Sequence, residues 1–281
     1  MSALALGLVA AVCWGFHDVC VRFLSQRTPI SACIFVVLLT GLVFHLGLMT
    51  IWGGFTSLPL EALWPALIAG VFFVIATFGL YGAFQRGPVR LVAPLIASYP
   101  ILSVLWAVWS GAEVSMWQWA AVLAIILGVS VVAALSDPVD GGAPAKGRTI
   151  VYALIAAAGF AGTFAFGQAA AEMSADLPST LATRLMALGL TVAIVLWLKL
   201  PFWPGRGALG FLIAMGVADG IALFAVLSAG GMVDAQYASV ASSMFGLLTI
   251  LMAWILLREP MTAKQWAGCV VAFCGVGYLA L

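Results

Sequence analysis

The residue whose chemistry is hardest to explain as packing is Asp219, about halfway along an apolar run in Gly216-Val-Ala-Asp219-Gly220. A carboxylate at the centre of a membrane span costs about 2.5–3.5 kcal/mol on insertion scales, so it needs a partner or a use. The small residues around it permit close helix approach. Two readings follow: a carboxylate that takes up a proton or a substrate amine, or a buried acid, kept protonated, that hydrogen-bonds a neighbouring helix. Arg184 is the basic group set well inside an apolar run. It can snorkel to the nearer surface, pair with Glu172 or Asp176, or receive a substrate carboxylate. An amine at Asp219 and a carboxylate at Arg184 would together describe a zwitterionic, amino-acid-like substrate.

Towards the end of the first apolar run lie His17 and Asp18, with Arg22 four residues beyond Asp18. That spacing stacks Asp18 and Arg22 on one helix face and predicts an ion pair at the membrane edge, with ligand contact as the alternative. His17 is a candidate proton relay. Trp14, Tyr81 and Tyr99 fall at interior depth, as do Phe78, Trp106, Phe160, Phe164, Phe224, Phe245 and Trp254. Aromatic walls with few polar groups suit amphipathic ligands, although most such rings serve helix packing. Gln168, Ser98, Ser242 and Ser243 would supply the sparse hydrogen bonds that orient a ligand, or bond helix to helix. Pro94 and Pro100 predict a kink that frees the carbonyls of Arg90 and Ile96, a candidate gate or a static bend. Gly246 is the bendable counterpart in the second half.

These groups must be positioned by an integral membrane fold. The 281 residues are 65% apolar and 7% charged, whereas a soluble domain carries about a quarter charged residues. Apolar runs separated by breakers predict ten transmembrane helices, near residues 3–22, 30–52, 62–85, 89–111, 117–136, 149–171, 177–198, 208–229, 235–257 and 263–281. The first run lacks a basic leader and a small-residue cleavage site and reads as a retained helix. Trp52, Trp64, Trp117, Trp119, Trp203 and Trp266, near run ends, form an interfacial belt.

The Pro- and Gly-rich stretch at residues 136–147 divides five helices from five. The predicted organisation is a first repeat over residues 1–136, a linker over 137–148 and a second repeat over 149–281. A shift of 146 residues lays Gly70 on Gly216, Phe78 on Phe224 and Glu113 on Glu259, and one residue more brings Gln118-Trp119 onto Gln265-Trp266. Ten of the eleven basic residues sit at odd-numbered loops, while even loops carry acids. The positive-inside rule puts the odd loops in the cytoplasm and both termini outside. An odd number of crossings per repeat inverts the second copy, so the expected fold is all-α with two inverted five-helix repeats, an arrangement common among secondary transporters.

The segment from Ser242 to Arg258-Glu259-Pro260, followed by Gln265, Gly268, Gly275 and Gly277, closely resembles the helix 9 to helix 10 signature of EamA-type members of the drug/metabolite transporter superfamily. Ala93-Pro94, Pro100, Glu113, Gln118 and Gly128 give a weaker version in the first half, and Pro178 with Arg184 is similar to the family's helix 7 opening. The resemblance spans nearly the whole chain. It departs at Gly246, where the family usually has a proline, and in helix 2, which lacks a counterpart to Arg184. It implies a carrier, with a central cavity lined by helices 1, 3, 4, 6, 8 and 9.

The expected function is proton-coupled export of a small amine or amino-acid-like metabolite by alternating access, in a bacterial inner membrane. The expected partners are substrate, lipid and protons, with the protein a monomer or homodimer. A net charge of +1 argues against nucleic acid. No Walker A loop, H-E-x-x-H or G-x-S-x-G pattern occurs, which leaves direct ATP drive and enzyme chemistry without a signature. The five cysteines lack metal-ligand spacing and read as packing thiols, so no metal or cofactor is expected.

Overall fold

A computed structural model of the chain describes residues 2–52, 58–109, 113–135, 146–229, 232 and 236–279. The order of helices is α1 (Ala3–Leu24), α2 (Ile30–Trp52), α3 (Leu60–Arg86), α4 (Val89–Ala97), α5 (Pro100–Trp109), α6 (Met116–Ala134), α7 (Lys146–Glu172), α8 (Asp176–Trp197), α9 (Arg206–Ser228), α10 (Gln236–Ser243), α11 (Phe245–Met252), a π turn (Ala253–Leu257) and α12 (Ala263–Leu279).

The expectation of ten transmembrane helices is not met. Among the described residues seven helices are long and apolar enough to cross a membrane: α1, α2, α3, α6, α7, α8 and α9. The fourth predicted span is cut into pieces of nine and ten residues, each only about 14–15 Å long at 1.5 Å per residue, against ~30 Å of hydrocarbon. Pro100 brings no N–H, and the chain turns at residues 98–99, where the Tyr99 N–H closes onto the Ile96 carbonyl at 3.2 Å. The ninth is cut at Met244 and unwound into the π turn, and α12 has 17 residues. Summed hydropathy registers the apolar run and is blind to these breaks.

The two breaks fall at equivalent places. Ser98 and Met244 are 146 residues apart, the repeat shift, and the broken helices meet there: the Tyr99 hydroxyl lies 2.9 Å from Ser242 Oγ. Gly246 lets α11 press on α4, since a Cβ there would stand 2.7 Å from the Ala97 Cβ. Gly246 is therefore a crossing point, and the bend sits two residues earlier. Equivalent caps recur as well. Ser115 and Gln118 bond each other's backbone N–H at the start of α6, with Gln118 Oε1 2.8 Å from the Ser115 nitrogen. Thr262 and Gln265 repeat this reciprocal cap before α12.

Each half packs mainly on the other. α3 lies along α7 and α8, while α9 lies along α1 and α2, the counterparts under the same shift; α6 and α12 pair at the periphery. Gly159 is pressed against α3, where a Cβ would stand 2.6 Å from the Ala76 Cα. The outer surface is apolar, with Val43, Trp117 and Ile255 each more than half exposed, as contact with lipid requires. Trp52, Trp64, Trp117, Trp119 and Trp203 are exposed at helix ends, whereas Trp266 is half-buried against Trp254. Trp254, expected at interior depth, is 51% exposed and faces outward. The linker over residues 136–145 and the side chain of Trp106 lie outside the described residues, and α7 begins at Lys146, inside the predicted linker.

Candidate functional site

The small residues Gly216 and Gly220 set Asp219 into the interior of α9, where its side chain meets α1 and α8. Trp14 Nε1 donates to Asp219 Oδ1 at 2.9 Å. Arg184 Nη1 donates to Oδ2 at 2.5 Å, and Nη2 donates to the Asp219 carbonyl at 3.0 Å. The guanidinium also stacks over the Phe73 ring, 4.9 Å from its centroid. Arg184 is 0% exposed, so it neither snorkels nor pairs with Glu172 or Asp176. The two intramembrane charges assigned to separate substrate groups neutralise each other, and each carboxylate oxygen of Asp219 already accepts a hydrogen bond.

One turn along α1, His17 and Asp18 form a second cluster. Asp18 Oδ1 lies 3.0 Å from His17 Nδ1, and His17 Nε2 lies 3.3 Å from the Tyr81 hydroxyl of α3. The expected Asp18 to Arg22 pair does not form. Arg22 is drawn to other partners at the helix end: Nη1 donates to the Phe84 carbonyl at 2.8 Å and Nε to Glu259 at 3.4 Å. Asp18 Oδ2 is buried and has no hydrogen-bond partner among the described residues.

These clusters border one cavity. Its polar lining is His17, Asp18, Thr77, Tyr81 and Asp219; its walls are Trp14, Phe73, Phe160, Phe164 and Phe245 with Val37, Leu38 and Leu80. The rings of Trp14, Phe160, Phe164 and Phe245 stand 5.5–6.5 Å apart, centroid to centroid. The centre of a water-sized sphere can move through only about 20 Å³, room for roughly one water. An organic ligand therefore enters only after the walls part.

Of the expected site residues, Trp14, His17, Asp18, Tyr81 and Asp219 come together on this cavity. Arg184 stands behind Asp219. Tyr99 braces the wall from behind, edge-on to Phe164 at 5.2 Å, and Gln168 donates to the Val226 carbonyl at 3.2 Å. Ser243 is buried at the end of α10, off the cavity lining. Pro94 sits within α4 without interrupting it; the break belongs to Pro100. α2 contributes to the walls through Val37 and Leu38, whereas α4 supplies no lining residue, the reverse of the expected roles of helices 2 and 4. Phe73 and Thr77, absent from the sequence candidates, carry no signal beyond lying one turn apart on α3.

A lipid-facing helical exterior around a charged and aromatic interior cavity suits a membrane carrier. The chain belongs to the EamA-like transporter family, whose profile matches it twice, over residues 1–134 and 147–281. It is thus an integral membrane protein and a secondary transporter of the drug/metabolite transporter superfamily, moving a small metabolite across a membrane; it is not an enzyme. No curated protein matches it. A solved structure described only as the crystal structure of a protein is similar over 99% of this chain and 98% of that one, with a TM-score of 0.73 and 17% identity. At that identity the likeness bears on fold alone.

Proposed function

We propose that the carrier exchanges protons for a small organic cation, an amine with an aromatic or apolar body, and that the two compete for Asp18. The observation that carries this reading is the buried, unpartnered Asp18 Oδ2 on the cavity. The Arg184 guanidinium is taken by Asp219 and Asp18 has no guanidinium partner, so the three groups together hold one negative charge in excess while His17 is neutral. A buried excess charge is costly. Either a proton, shared over His17 and Asp18, or a substrate cation can cancel it, and both together would overshoot. That exclusion is what antiport requires.

The aromatic walls favour a cation over an anion, because ring faces attract positive charge. An amino-acid form of the substrate loses support, since Arg184 is engaged and does not line the cavity. We place the Arg22 side of the bundle in the cytoplasm by its basic loops, the N-terminus outside, and the direction of net movement outward against entering protons, by alternating access in a bacterial inner membrane.

The test uses benzyltrimethylammonium, a cation with no proton of its own to lose. Added to purified protein in weak buffer with a pH indicator, it should release protons from the wild-type and none from Asp18→Asn. No release from the wild-type, or the same release from the variant, would overturn the reading.

A further inference from the structure

We infer that Glu259 is the latch of the Arg22-side gate, and that its release is a step of the transport cycle. The inference stands on geometry far from the cavity and is independent of what the cavity binds.

The start of α4 needs an acceptor. The first N–H groups of a helix have no intrahelical partner, and its N-terminal end carries partial positive charge. Pro88, at the cap position, provides no side-chain acceptor. Glu259 fills that role from 170 residues away: its Oε2 accepts from the N–H of Val89 at 2.9 Å and faces that of Arg90 at 3.5 Å. Its other oxygen accepts from Arg22 Nε at 3.4 Å, at the end of α1. Arg22 and Gln26 in turn hold the last carbonyls of α3, at Phe84 and Gln85, and Arg90 returns a bond to the Pro260 carbonyl. One carboxylate thereby joins α1, α3 and α4 to the segment between the π turn and α12.

Its setting suits a catch that must open. The Arg22 and Glu259 side chains are 19% and 14% exposed, so water can replace their bonds. The backbone ahead of Glu259 is not relaxed helix: the π turn ends on Arg258 at φ 53°, in the left-handed region. At its far end α4 is already broken, at residues 98–99, so freeing its start leaves it held by side-chain packing. The counterpart Glu113 on the opposite side of the bundle is exposed, so only the Arg22 side is seen fastened among the described residues.

Hydrogen exchange by mass spectrometry, on the full chain in lipid nanodiscs without ligand, separates a latch from a simple helix cap. Glu259→Gln should raise exchange about tenfold in the first turn of α4 and also at the Ser25, Thr28 and Gly87 amides, which close the ends of α1 and α3. A rise confined to α4 would make Glu259 only a cap and overturn the inference, as would no rise. Glu113→Gln should leave these peptides unchanged; a matching rise there would signal general loosening and also overturn it. Should Glu259→Gln fail to fold, Glu259→Asp, whose shorter side chain cannot span from the α4 N–H groups to Arg22, must raise exchange at Ser25, Thr28 and Gly87 for the latch to stand.

Discussion

Arg184 and Asp219 hold each other across α8 and α9 by two hydrogen bonds, one to the carboxylate at 2.5 Å and one to the backbone carbonyl at 3.0 Å. With side chains 0% and 6% exposed, both charges are buried. Removing one partner strands the other, at a cost of roughly 3–5 kcal/mol. Arg184→Met and Asp219→Asn should each lower the thermal unfolding midpoint strongly. The double variant should recover a large part, as a double-mutant cycle in detergent would show; additive losses would mean the pair is not coupled.

Asp18→Asn is expected to behave differently. Its Oδ2 makes no bond to lose, and the amide still reaches His17, so the fold should keep its unfolding midpoint. Uptake of a labelled quaternary amine into proteoliposomes should lose its dependence on an imposed pH gradient. Continued gradient-driven uptake would remove Asp18 from coupling.

Packing between α3 and α7 should be the least forgiving. Gly159→Ala inserts a methyl where the Ala76 backbone already lies, and overpacking of this kind costs about 1–3 kcal/mol. Gly189→Ala, on α8 with open space around the site, is the control and should stabilise slightly or do nothing. Equal unfolding midpoints for the two variants would contradict the close crossing.

Arg258 can be tested through its backbone alone. A β-branched residue fits poorly at φ 53°, so Arg258→Val should destabilise by more than about 1 kcal/mol, whereas Arg258→Gly should cost less because glycine accepts that region freely. Thermal unfolding of the two variants decides it; the reverse order would refute the left-handed assignment.

Membrane embedding, the apolar runs and the approximate helix ends were legible, because periodic hydropathy and breakers act locally. Interruption of the runs was half legible. Pro100 announces one break, but Met244 announces nothing, and its bend lies where the broken helix meets Tyr99 and Ala97 of the first half. Asp219 was legible as a charge that needed a partner. The partner was not, because Arg184 sits 35 residues away on another helix, within equal reach on paper of two nearer acids. Asp18 shows the same limit from the other side: its i+4 neighbour Arg22 was the obvious mate, yet a helix end offering the Phe84 carbonyl and Glu259 won the guanidinium, leaving Asp18 to His17. Sequence spacing ranks neighbours along one helix and is silent on what a second helix brings.

The cross-packing of α3 on α7 and α8, and of α9 on α1 and α2, has a mechanical consequence. The parts that would rock against each other are hybrids, each taking helices from both ends of the chain. Neither sequence half is a lever by itself, so cutting the chain within residues 136–145 would leave both levers intact.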